Sequence, residues 1–437
     1  MMVFKLEIGF NHFFNSGKYF MYKVHRCSFN PVSSPLKLTG KLGLSILMSL
    51  ASITFVHAGE VVWWAPNWGE KRAEELAKKF MAANPSIKIK IEVTVSNGLP
   101  ARVLTALRSG NAPDLMEVSH SWVNEYAQGD FVVPLDDTIQ DKADYNKGVL
   151  QVITWKGKLW AIPYRIETHG VIYNKDHFRE AGLDPEKPPK TWDELQAAAK
   201  ALTKAGRSGF GITGGGEMGN TIFRSLPFVW MNGGDILNAD MTKAVINSPA
   251  SVKAIEFYTN FYKQGYAPKS TLENDGLALR RLFVAGALSA YQSGQFDVPA
   301  ILKENPKLNV GTMMIPAPAG KQTAAIIGGW SYVIPKASKN PTEAKKFVQF
   351  LNTAENQAFY TDTFPARASA SKFPRFNDPI LKPFAEMLPH GRTAPIHPDW
   401  VKMTQFYFDG IQRILLGDQT VQKSMDQANA DIQALLK

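Results

Sequence analysis

All ten tryptophans of this chain lie beyond residue 58, and half of them gather where predicted strands end. Trp63, Trp64 and Trp68 sit at or just after a first strand, Trp122 follows a strand at Leu115, and Trp330 precedes one at Ser331. Loops at the C-terminal ends of strands form the binding crevice of open α/β sheets. A flat ring with a polar edge suits a ligand that has both apolar faces and hydroxyls, and a sugar is such a ligand. Any one of these rings could equally be core, and Trp155 and Trp192 read as structural. The cluster is more informative than its members.

A second group is Tyr164-Arg165-Ile166-Glu167, which follows the strand-like Leu159–Pro163. It puts a cation and an anion at a strand end. Glu167 could accept two charge-assisted hydrogen bonds from sugar hydroxyls; the plainer reading is a salt bridge with its neighbour.

Other chemistries are poorly supported. Gly209-Phe-Gly211-Ile-Thr-Gly214 matches GxGxxG, but a helix precedes it and Phe210–Ile212 reads as the strand itself, so the dinucleotide context is wrong. No GxxxxGK[ST], GxSxG or HExxH occurs. His120, His169, His177, His390 and His397 show no i, i+3 or i, i+4 pairing, so neither a metal nor a cofactor is expected. Two carboxylates distant in sequence could still meet in a cleft, which keeps a periplasmic glycosidase or lyase open.

The elements that would hold these residues alternate. Val61–Trp64 is a short strand; residues 70–83 set Ala73, Leu76, Ala77, Phe80 and Met81 on one helical face; Ile87–Val95 alternates as a strand. Downstream, Thr191-Trp192-Asp193-Glu194 is a capping box for a helix expected to run to Gly206. Ser248-Pro249, Asn340-Pro341 and Gln419 open three more helices. Strands alternating with helices argue for α/β lobes, each a mainly parallel sheet flanked by helices.

The chain has 437 residues and a formal charge of +10. Half of that excess lies in residues 1–58, where Lys5, Lys18, Lys23, Arg26, Lys37 and Lys41 face Glu7 alone. The rest is dispersed, so no nucleic-acid partner is expected. Leu42–Val56 is uncharged and mostly apolar, follows Lys37 and Lys41, and ends in Val56-His57-Ala58. This is a secretory signal over 37–58, with cleavage expected after Ala58 and a mature protein in the periplasm. Residues 1–36 read as an upstream extension without packed structure, or a mis-assigned start with Met21 as the alternative. The single Cys27 allows no intramolecular disulfide.

Longer segments carry a resemblance. They are WKGKLWAIPYRIETHGVIYNKDHFREAGLD (155–184), PPKTWDEL (188–195), GGWSYVIPKASKNPTEAKKFVQFL (328–351) and FPARAS (364–369). Together they resemble the extracellular solute-binding proteins of family 1, the sugar receptors of ABC importers. The resemblance implies a two-lobed periplasmic-binding-protein fold of the class II type, with ligand in the cleft. One lobe would take 59–166 and 331–365, the other 167–330 and 366–437. It implies ligand contacts from Glu167, from Trp330 beside Gly328, and from Trp64, Asn67 and Trp68 after the first strand. It adds Tyr164, Ser119 (where sugar binders commonly have Asp), Trp122, Trp230, Tyr291 and Gln292, with Arg392 and His397 from a C-terminal loop. The implied partners are a di- or oligosaccharide and the transmembrane subunits of a permease, and the protein is expected to be a monomer that catalyses nothing. A glycerol-3-phosphate receptor of the same family is the near alternative.

Overall fold

The computed structural model describes residues 59–95 and 98–436. The expected signal and upstream extension lie outside the described residues.

The first strand, β1 (Gly59–Pro66), pairs in parallel with β2 (Ile87–Thr94) and β3 (Leu115–Ser119). The helices Glu70–Ala83 and Leu99–Ser109 make the two crossovers. The first turns its expected stripe inward: Ala73, Leu76, Ala77 and Phe80 are buried. Gly110 ends the second in a left-handed conformation (φ 71°) that only glycine adopts cheaply.

After a small hairpin, β4 (Thr154–Trp155) and β5 (Lys158–Leu159), the chain returns as β6 (Ile162–Glu167) and crosses to β7 (His169–Asn174). There β7 is flanked by β8 (Ala290–Gly294) and β9 (Val310–Met313). A short β10 (Ala325–Ile326) leads into β11 (Gly328–Val333), which re-enters the first sheet between β3 and β6. Then β12 (Phe364–Pro365) edges that sheet, and β13 (Gly391–Arg392) pairs with β10.

The sheets are less parallel than expected. In the six-stranded sheet, β11 runs antiparallel to both β3 and β6, and β12 antiparallel to β6. In the second sheet, β7 is antiparallel to both neighbours. The alternation of elements is as read. Direction differs because β11 arrives from the far lobe, and β12 follows the helices Pro341–Leu351 and Ala354–Tyr360 back to the sheet edge, neither through a local parallel crossover.

Two buried apolar clusters result. One holds Val61, Trp63, Leu115, Tyr164, Tyr332 and Phe347. The other holds Val171, Tyr173, Trp192, Phe228, Tyr258 and Tyr407. The second sheet divides between them: Val171 and Ala290 face the second cluster, Ile172 and Tyr291 the first. The capping box at Thr191 forms, with Glu194 reaching back, but that helix stops at Leu202 instead of Gly206. Thr203 ends it, its hydroxyl bonded to Ala199 O. Within the Gly209–Gly214 stretch, Gly211 forms a single parallel bridge to Tyr291 of β8. Among the described residues, no helix is long and apolar enough to cross a membrane.

Candidate functional site

The end of β11 gathers three indoles. Trp330 meets Trp68 edge-on at 4.8 Å between ring centroids and Trp122 at 5.6 Å. Each arrives differently. Trp68 lies in the loop after β1, Trp122 ends the 3-10 turn His120–Trp122 after β3, and Trp330 pairs in register with Ser119. All three are half-buried. Edge-to-face aromatic pairs contribute about 0.5–1.5 kcal/mol beyond their area and hold the rings in place.

The backbone beneath them needs glycine. Gly329 has φ 146°, and a Cβ there would lie 2.2 Å from Arg165 O and 2.5 Å from the His120 ring. At Gly328 a Cβ would strike the Phe223 ring at 2.7 Å and come within 3.1 Å of Glu167 Oε1. Bare backbone is therefore what lets Trp330, Glu167 and Phe223 converge.

Arg165 forms the electrostatic centre. It donates to Glu167 Oε2 (2.5 Å) and Asp362 Oδ1 (2.6 Å), and its guanidinium lies 5.5 Å from the Trp68 ring. Burial opposes its charge, but Asp362 and Glu167 outweigh that and hold it protonated. The salt-bridge reading of Arg165 and Glu167 is thus realised. It occupies one Glu167 oxygen and leaves Oε1 toward Gly328. Behind the indoles, burial takes His120 down to about 3, so its ring is neutral.

A second aromatic group adjoins Gly328. Phe223, on the helix Met218–Met231, packs on His169 at the start of β7 (5.4 Å), and Phe296 closes on the same ring (6.4 Å). Burial, then Arg224, hold His169 neutral. Gln292 donates to Phe223 O (3.0 Å), while its buried Oε1 has no partner among the described residues. Phe223, His169 and Asp362 were not among the sequence candidates, and Arg165 was singled out as a cation beside Glu167 but not as a ligand contact. Phe223 carries the helical period of a core residue, and Asp362 meets Arg165 only through the fold.

Other candidates lie elsewhere. Tyr164 is core: it is 1% exposed, with its hydroxyl on Glu117 (2.5 Å). Tyr291 is core too, fully buried and bonded to Asp297 (2.9 Å). Tyr164 lies inside β6 and Tyr291 near the start of β8, and both side chains pack under helices, Tyr164 against Tyr360 and Tyr291 against Phe283. Trp64 faces away from the indoles, tied to Glu92 (2.9 Å) and lying under Arg102 (4.5 Å). Asn67 is exposed beside Trp68, its N–H bonded to Thr94 O. Ser119 bonds Ser121 (3.1 Å) next to Trp330. His397 caps its own loop by accepting from Asp399 N (3.1 Å). Trp230 and Arg392 form a separate group: Arg392 stacks on Trp230 at 4.4 Å, and Asp235 binds both.

One cavity, about 790 Å³, lies between the helices Glu70–Ala83 and Ala354–Tyr360. Both flank the first core, so it is not the space between lobes. A smaller one, about 440 Å³, lies where the two cores meet, between Asn146–Gly148 and Leu388–Thr393.

The comparisons agree with this architecture. The family model described as bacterial extracellular solute-binding protein matches residues 66–358. The sn-glycerol-3-phosphate-binding periplasmic protein UgpB of Escherichia coli (strain UTI89) is 30% identical over 356 residues, covering 74% of this chain and 77% of that one. An ABC-transporter solute-binding protein of Thermotoga lettingae, solved with alpha-D-tagatose, superposes with a TM-score of 0.81 at 24% identity, over 87% of this chain and 100% of that one. The sugar-binding protein MalE of Xanthomonas citri gives 0.73 at 26% identity, over 86% and 97%. UgpB of Mycobacterium tuberculosis, solved with glycerophosphocholine, gives 0.77 at 22% identity, over 86% and 98%. With its two lobes and its family match over most of its length, the chain belongs to the bacterial extracellular solute-binding proteins of ABC importers.

Proposed function

We propose that this receptor closes on a neutral di- or oligosaccharide and delivers it to the transmembrane subunits of its permease, acting as a monomer and without turnover. The observation that carries the reading is the Trp68–Trp330–Trp122 cluster over bare Gly328-Gly329 backbone, with Glu167 at its edge. The rings offer C–H stacking faces, and Glu167 Oε1 offers an acceptor for a hydroxyl. Phe223 and His169 form the opposing wall. The lobes are taken as 59–166 with 331–365, and 167–330 with 366–437, hinged at the Glu167–His169 crossover. Export would use residues 37–58, with cleavage after Ala58.

The relationship to UgpB keeps a glycerol phosphate as the second reading. A phosphate wants an uncompensated cation. Arg165 is matched by two carboxylates, which favours the neutral ligand; Arg72, bonded to Trp68 O (3.4 Å), is the cation a phosphate would recruit.

A thermal-shift screen of sugars and glycerol phosphates separates the two. A true ligand at 100 times its dissociation constant adds about 2.7 kcal/mol. Small-angle scattering should then show compaction with unaltered ligand recovered. Stabilisation by glycerol phosphates alone would replace the sugar reading, and recovery of cleaved sugar would replace the receptor with an enzyme.

A further inference from the structure

The helix Glu70–Ala83 turns Ala73, Leu76, Ala77 and Phe80 inward, and the helix Ala354–Tyr360 buries Ala358 and Tyr360. Phe359 is left on the outside, 38% exposed. Farther on, Phe376 packs on Phe364 (6.4 Å), but Phe373, just before the turn Pro374–Phe376, also stays 38% exposed. These two are the phenylalanines among the exposed large apolar side chains of the described residues. Both line the cavity of about 790 Å³ between the two helices, together with Leu76, Ala82, Ala358 and Pro374. Exposed apolar surface of this kind, rimmed by polar groups, marks a place where something binds. The volume falls within the range of small-molecule pockets.

The charges on the rim say what kind of molecule fits. Three cations, Lys78, Lys79 and Arg375, face two anions, Glu75 and Glu355. Lys79 and Glu355 pair across the groove at 3.0 Å. Lys78 stands three residues from Glu75, the spacing of neighbours on one helical face. Arg375 is the cation left over. Its guanidinium donates to Thr361 O and lies 4.6 Å from the Phe376 ring, and no carboxylate pairs with it among the described residues. The near carboxylate, Asp362, is held by Arg165. Partial burial, then Arg72, work against the charge on Arg375. An anion placed there would relieve that opposition.

The geometry gives such an anion a tail. Arg375 stands at the Arg72 end of the helix, and the Lys79–Glu355 pair lies about two turns farther along. From Glu75 to Ala82 the groove follows the helix for roughly 10 Å at 1.5 Å per residue. Phe359 and Phe373 wall that length with apolar surface.

We infer that this groove is a second binding site, separate from the indole cluster, for a free medium-chain fatty acid: the alkyl chain lies along Phe373, Phe359 and Ala82, and the carboxylate meets Arg375. It flanks the first core alone, so its occupation is independent of the sugar.

The test is calorimetric titration of the purified protein with decanoate, butanoate and decyltrimethylammonium. Decanoate should bind with one-to-one stoichiometry and at least tenfold more tightly than either of the others. Arg375→Gln should abolish the preference over decyltrimethylammonium. Since Arg375 also holds Thr361 O, Phe359→Ser and Phe373→Ser test the groove without touching it. Each should weaken decanoate at least fivefold with little change in melting temperature, because both rings are already exposed. The sugar that stabilises the protein should leave decanoate affinity within about twofold. Absence of decanoate binding, binding that survives both phenylalanine substitutions, or displacement of decanoate by the sugar would overturn the site. A dimer seen by sedimentation, or flotation with phosphatidylglycerol vesicles, that Phe373→Ser abolishes would give the groove to a second copy or to a membrane surface, and would overturn it as well.

Discussion

Two aromatic groups share the same strands and differ in what covers them. Around Glu117, Trp63, Tyr164, Tyr332 and Tyr360 are nearly or fully buried, with Tyr164 and Tyr332 stacked at 4.6 Å. Two residues farther along, Ser119 and Trp330 lie on the same sheet face as Glu117 and Tyr332. Yet Trp330 is half-buried, and among the described residues its ring partners are Trp68 and Trp122. The helices Pro341–Leu351 and Ala354–Tyr360 supply Phe347 and Tyr360 against Trp63 in the inner group. The outer group stands past that cover. Residue type does not separate core from site here; the reach of the covering helices does.

The largest expected effect lies in the inner group. Trp63→Ala removes a fully buried indole and should cost about 3–5 kcal/mol of stability, read by denaturant unfolding. The folded fraction should bind sugar normally. A loss under about 1 kcal/mol, or a specific binding defect, would erase the distinction between the groups.

A smaller effect sharpens it. Burial lifts Glu117 to about 8, against the downward pull of the Tyr164 and Tyr360 hydroxyls. The unfolded value is near ~4.3, so the folded state holds the proton more tightly. That contribution to stability is full below about pH 4.3 and is lost as pH rises through about 8. The melting temperature of the wild type should therefore fall, relative to Glu117→Gln, between pH 5 and 9. Parallel curves would contradict the raised value.

How much was legible in the sequence follows from the same contrast. The β-α-β start, the capping box and the strand-end positions of Trp68 and Trp122 are local patterns, and the structure keeps them, whereas Trp330 lies inside β11 rather than before it. Tyr164 was read at a strand end, but β6 continues past it to Glu167, and both it and Tyr291 turn under helices, which no local pattern records. Strand direction was misjudged because apolar alternation is the same whichever way a strand runs, and β11 returns from the other lobe. Phe223 and His169 escaped notice because a helix residue packs on a strand residue far from it in sequence and reaches Gly328 only through the fold. Such a meeting is a property of the tertiary fold.

The most direct measurement is Trp330→Ala, studied by calorimetric titration with the sugar that stabilises the wild type and by a melting curve of the same protein. A buried aromatic anchor at a binding site is worth about 2 kcal/mol or more, which exceeds the 1.4 kcal/mol of a tenfold change. The expected result is a more than tenfold loss of affinity with a stability loss of about 1–3 kcal/mol from the two aromatic pairs, below that expected for Trp63→Ala. A variant that melts much earlier yet binds the sugar normally while folded would show that Trp330 belongs to the core.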